Sequence, residues 1–191
     1  MLRHFHLTKL QWQGILKWSL YALVLLALLL LQTVVLATRP VFGAKLCLVP
    51  IAVCCVCIRE GPEKGGLFAL LASLIWCLSG EDYGNLILAV LPIGSILAAV
   101  LCRAVLTDRF FPTALCCLVV SLLTASAVFA FKLILPPGAS AANGWQAKTV
   151  TVSLDNYWRV LLPGVLISML SFPPLYGLVK LISRIGVHDA L

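Results

Sequence analysis

Trp18–Ala37 reads WSLYALVLLALLLLQTVVLA, twenty residues without one charged side chain. Lys17 precedes the run and Arg39 follows it. A helix needs about 20 apolar residues to cross a hydrocarbon core of roughly 30 Å, so this stretch has the length of one membrane span. Its basic start and the Val35-Leu36-Ala37 tripeptide resemble a secretory leader. The apolar part is longer than the about 7–15 residues of a leader's core, and it reads as an uncleaved first span.

Working outward, the same pattern recurs. Residues 86–102, 110–131 and 160–179 are apolar runs closed by Arg103, Lys132 and Lys180. Two runs are shorter. Leu46 to Ile58 lies between Lys45 and Arg59, and reaches span length when extended back to Val41, with the Lys45 stem snorkelling to the interface. The run 65–79 lies between Lys64 and Glu81 and is also short, which a thinner local bilayer or shielding by neighbours accommodates. With 62% hydrophobic and 11% charged residues among 191, the chain has far less charge than the about 25% of a soluble domain. Its mean hydropathy is +1.07.

The net charge is +7, but the 14 Lys and Arg are scattered singly between apolar runs, which argues against a nucleic-acid surface. Their distribution orients the chain instead. With six spans and the N-terminus inside, the inner segments hold Arg3, Lys9, Lys17, Arg59, Lys64, Arg103, Arg109, Lys180 and Arg184. The outer segments hold Arg39, Lys45, Lys132, Lys148 and Arg159. The excess of cations on one side follows the positive-inside rule. The expected architecture is therefore an all-α, polytopic membrane bundle of about six transmembrane helices. It has a cytoplasmic basic N-terminus (1–17), one membrane domain (18–182; spans 18–37, 41–58, 65–79, 86–102, 110–131 and 160–179) and a cytoplasmic tail (183–191). The loop 132–159 is external, with Trp145, Tyr157 and Trp158 where interfacial aromatics belong. Small residues repeat at four-residue spacing in Gly65/Ala69/Ser73, Gly94/Ala98 and Gly164/Ser168, which allows close helix packing in lipid.

Candidate chemistry is sparse. Asp, Glu, His and Arg are missing from the span interiors, and the seven acids (Glu60, Glu63, Glu81, Asp82, Asp108, Asp155 and Asp189) read as loop or tail residues. His4, His6 and His188 lie in the terminal segments. All eight cysteines sit in apolar runs, where a thiol packs as a small hydrophobe. Cys54-x-x-Cys57 has redox or half-zinc spacing but lacks a second pair nearby in sequence. No catalytic, cofactor-binding or metal-binding residues are assigned, and a role in binding rather than in catalysis is expected.

The order of several short motifs resembles the MreD family, the small membrane subunit of the bacterial rod-shape machinery. The motifs are Leu29-Leu30-Leu31-Gln32-Thr33 at the end of the first span, Val41-Phe42-Gly43, and the cluster Arg59-Glu60-Gly61-Pro62-Glu63-Lys64-Gly65. Ser79-Gly80-Glu81-Asp82-Tyr83-Gly84 follows the third run, and Pro174-Leu175-Tyr176 precedes the basic tail. The chain departs from the family at Lys45-Leu46-Cys47-Leu48 and at Trp76, and Ala69, Ala72 and Ser73 stand on a face that is richer in glycine in the family.

The resemblance implies a plasma-membrane scaffold in a bacterium with both termini cytoplasmic. It implies binding to a bitopic MreC-like protein, and through it to a RodA-like glycosyltransferase and a class B penicillin-binding protein. It also implies a fold like the substrate-binding subunits of energy-coupling-factor vitamin transporters, so a vitamin-binding subunit is the alternative. Candidate partner contacts on this reading are Arg59, Gly61, Lys64, Gly65, Ala69, Ser73, Gly80 and Gly84.

Overall fold

A single residue, Gly61, separates two helices at the centre of the protein. It has φ 102°, a conformation that costs a residue with a Cβ but not glycine. The computed structural model describes residues 9–36, 46–79, 86–104, 110–134 and 161–185, and every regular element among them is helical. Helix α1 spans Lys9–Leu30 and continues as a π-helical turn, Leu31–Leu36. Helices α2 (Val49–Glu60) and α3 (Pro62–Leu78) flank Gly61. Helices α4 (Ile87–Ala104) and α5 (Phe110–Ile134) follow. Helix α6 (Leu162–Ser168) passes through a 3-10 turn, Met169–Ser171, into α7 (Phe172–Ser183).

Among the described residues, four stretches are long and apolar enough to cross a bilayer: Gln11–Val34, Ile87–Ala104, Phe110–Ala130 and Leu162–Ser183. The helices do not coincide with the expected spans. Helix α1 begins at Lys9, ahead of the apolar run at 18–37, because Lys, Leu and Gln in the preceding residues favour helix. The second helix does not reach back towards Val41. Residues 46–48 are non-helical and α2 begins at Val49, with Pro50 in the first turn, where a missing N–H is harmless. At 12 residues α2 is about 18 Å long, short of a full hydrocarbon core. The last span is interrupted. Pro173 and Pro174 have no N–H to give to the Met169 and Leu170 carbonyls, and the helix tightens there before α7 resumes to Ser183.

Helix α2 occupies the core. Every residue from Val49 to Ile58 is buried, and the helix packs against α1, α3, α4, α5 and α7. A helix that is apolar all round and enclosed on all sides belongs in an interior. The bundle's outer face is apolar too. Leu67, Leu70, Leu71, Leu74 and Leu78 of α3 point outward, as do Leu97 and Leu101 of α4 and Leu115 and Leu123 of α5. Hydroxyl and small side chains point inward, with Ser73, Ser95, Thr113, Ser121, Thr124 and Ser168 all buried. Thr124 and Ser168 donate to the carbonyls of Val120 and Gly164 (both 2.7 Å), and Ser73 to that of Leu70 (2.8 Å), so these hydroxyls cost little inside. Leucines outside and hydroxyls inside suit lipid as the solvent.

Candidate functional site

The ends of α2 are where polar chemistry gathers. At its C-terminal end Glu60 is held from two sides by α1. Lys17 Nζ lies 2.7 Å from Oε2, and Tyr21 Oη donates to Oε1 at 2.8 Å. The Glu60 side chain is only 9% exposed, so these two partners stand in for much of its contact with water. Trp18 and Phe68 pack beside Tyr21, with ring centroids 5.7 and 6.2 Å away. Neighbouring Arg59 donates from Nε to Ser183 Oγ at the end of α7 (3.1 Å). The Arg103 guanidinium, at the end of α4, lies 2.8 Å from where a Cβ on Gly61 would sit. Thr113, near the start of α5, borders a small cavity with Arg59 and Lys180.

These contacts place the start of α1, the end of α2, the end of α4 and the end of α7 at one end of the bundle. Successive segments therefore run in alternating directions. Six cations (Lys17, Arg59, Lys64, Arg103, Lys180 and Arg184) and two carboxylates (Glu60 and Glu63) collect there, leaving a net positive end among the described residues.

At its other end α2 has no side-chain cap of its own. Two distant residues satisfy the chain just before it. The Leu48 N–H donates to Gln32 Oε1 (3.1 Å) from the π-helical turn after α1. The Cys47 N–H donates to Ser168 Oγ (3.0 Å) at the end of α6. Gln32 and Ser168 are both buried. The bond to the buried Leu48 N–H avoids a desolvation penalty of about 1–3 kcal/mol. Non-helical backbone inside an apolar bundle is tolerated only where protein groups satisfy it in this way.

The small-residue stripe faces inward. Gly65 lies so close to α2 that a Cβ there would sit 2.4 Å from Cys57 Cα, and its carbonyl accepts the Cys57 thiol at 3.0 Å. Ala69 and Ser73, further along the stripe, are fully buried. Gly61, Gly65, Ala69 and Ser73 are thus committed to the chain's own packing and do not offer a free contact face. Lys64 is exposed and Arg59 half-buried at the charged end. Gly80 and Gly84 lie outside the described residues, as do the three histidines and positions 135–159 of the long loop.

The cysteines also pack internally. Cys55 and Cys117 approach to 3.6 Å between sulfurs across the α2–α5 contact, and Cys117 lies 3.9 Å from the Ile51 carbonyl. Among the described residues no group of three or more His, Cys, Asp or Glu is arranged to hold a metal.

Two features escaped the sequence. Glu60 reads as a loop acid, yet it closes α2 as part of a partly buried network. Ser168 reads as one of a small-residue pair, yet its hydroxyl also anchors the chain before α2. Gln32 carried a signal: it is the one amide in the first apolar run. An apolar groove of about 650 Å³ between α1 and α3 left no local signal. No family model, curated protein or solved structure matches the chain.

Proposed function

We propose that this chain is a non-enzymatic scaffold subunit of the bacterial cell-shape machinery, of the MreD type, in the plasma membrane. It holds an MreC-like bitopic protein and, through it, a RodA-like glycosyltransferase and a class B penicillin-binding protein. The observation that carries this reading is the coincidence of the resembling motifs with the positions that build the bundle. Gln32 anchors the chain before α2, and Glu60 closes α2 on Lys17 and Tyr21. Gly61 makes the turn, and Gly65 sets the α2–α3 contact. Tyr176 packs in an aromatic cluster with Phe110 and Phe172. Residues that form a motif because the fold needs them support a shared architecture, and a scaffold acts through its architecture alone. Co-purification from the native membrane tests the role. An MreC-like protein is expected as the main partner. A tightly held vitamin in its place would assign the chain to the transporter alternative.

On this reading α2 and α3 complete six crossing segments, with α2 entirely shielded from lipid. The cationic end faces the cytoplasm, together with both termini. Glu63 is exposed at that end. A Glu63→Cys variant is expected to resist a membrane-impermeant thiol reagent in intact cells and to react after permeabilisation. The wild-type chain, with its own eight cysteines, sets the background. Reaction in intact cells above that background would reverse the orientation.

A further inference from the structure

Helix α1 leans on α2 and α7 rather than on α3, and the wedge left between α1 and α3 is the groove of about 650 Å³. Its walls run from Trp18 to Leu29 on α1 and from Glu63 to Ile75 on α3. At 1.5 Å per residue each wall is about 17–18 Å long. That is a little over half of a roughly 30 Å hydrocarbon core, so the groove is one leaflet deep.

The lining is apolar except at one end, where Glu63 and Lys64 stand side by side in the first turn of α3. Both are exposed at the charged end of the bundle. The volume is that of a small-molecule site. A transmembrane helix, about 10 Å across and running the full depth of the core, would continue past the point where the groove stops. An amphiphile confined to one leaflet fits the length. An acid beside a base fits a head group that carries both charges.

We propose that this groove binds one phosphatidylethanolamine molecule, its phosphate against Lys64, its ammonium against Glu63, and an acyl chain between α1 and α3. An ammonium donates hydrogen bonds to a carboxylate, and charge-assisted bonds of this kind are the stronger ones. An anionic head group would meet Glu63 unfavourably. The aromatic contact of Trp18 with Phe68, 6.1 Å between ring centroids, lies along the same groove.

The test uses the full chain in vesicles of equal parts phosphatidylethanolamine and phosphatidylglycerol, released into mild detergent and weighed by native mass spectrometry. One phosphatidylethanolamine adduct is expected on the wild type. Leu71→Trp fills the groove from α3 and Leu26→Trp from α1. Both leucines are more than half exposed, at 54% and 55%, so the larger ring does not enter the core. Either variant is expected to lower the adduct about tenfold, equivalent to about 1.4 kcal/mol of binding. Glu63→Gln lowers phosphatidylethanolamine retention and spares phosphatidylglycerol; Lys64→Gln lowers both.

Equal or greater retention of phosphatidylglycerol by the wild type would overturn the assignment. So would adducts unchanged in both Trp variants, or cross-linking of Leu71→Cys to a second protein chain or another copy. Should one Trp variant fail to fold, the other still reads the groove. Retention is measured without any partner, so a failure here leaves the scaffold reading to its own co-purification test.

Discussion

A leucine in place of Gly65 is expected to abolish accumulation of the folded protein. The first atom of any side chain would sit 2.4 Å from Cys57 Cα, a backbone atom that yields only if α2 and α3 separate. Separation would break the Cys57 thiol bond to the Gly65 carbonyl. It would also push α2 against the four other helices around it. Overpacking a core costs about 1–3 kcal/mol even when side chains can rearrange, and a rigid backbone neighbour raises that cost. Whole domains are stable by only about 5–15 kcal/mol. Gly65→Ala is expected to fold with a markedly lower melting temperature.

Gly14 and Gly177 supply the controls, since a Cβ at either meets nothing within 4 Å. Alanine there should change stability by no more than about 1 kcal/mol, in the stabilising direction, because alanine favours helix over glycine. Yield and melting temperature in detergent, read by size-exclusion chromatography, measure all four variants. A Gly65→Leu protein that elutes and melts like Gly14→Ala would disprove the close contact.

The second large effect is expected at Lys17. Replacing it with methionine keeps an unbranched side chain one atom shorter and removes the cation 2.7 Å from Glu60. Tyr21 is then left as the partner of a carboxylate whose side chain is 9% exposed. Stripping one member from a buried pair costs about 3–5 kcal/mol; Lys17 is itself 19% exposed, and water at this end reduces the loss to about 2 kcal/mol. Glu60→Gln is milder, because a neutral amide still accepts from Tyr21 and leaves a partly exposed lysine, at 19%, rather than a stranded acid at 9%. The double variant should regain most of the loss, giving a coupling of about 2 kcal/mol in a double-mutant cycle. Strict additivity would show that the two side chains act separately.

The two sites differ in how legible they were. Gly65 stands in a small-residue stripe with Ala69 and Ser73, and the stripe by itself implies close packing. What it packs against was not announced, because the Cys54-x-x-Cys57 spacing that marks the partner, Cys57, points to no contact with Gly65. Lys17 and Glu60 are 43 positions apart, and each reads as an ordinary flank of an apolar run. Only antiparallel packing of α1 and α2 brings them together. Gln32 stood out as a polar residue in a greasy run, but its partner, the Leu48 N–H, is a backbone group whose need arises only once α2 is known to start at Val49. The groove is legible in neither wall, since its residues alternate with others that face lipid in the same way.

By itself the sequence determined which runs are apolar and long enough for hydrocarbon, and where the single cations fall between them. Those properties are local, because transfer free energy and charge belong to each residue wherever it lands. Tertiary structure alone decided which apolar helix is enclosed and which faces lipid. Val49–Ile58 and Leu67–Leu78 are both hydrophobic; the first lies wholly within the bundle, while the second turns its leucines outward. Hydropathy cannot separate the two, because a lipid tail and a neighbouring helix are equally apolar surroundings. Fit between helices separates them, through the space that Gly65 leaves for α2 and the polar groups that hold α2 at its two ends.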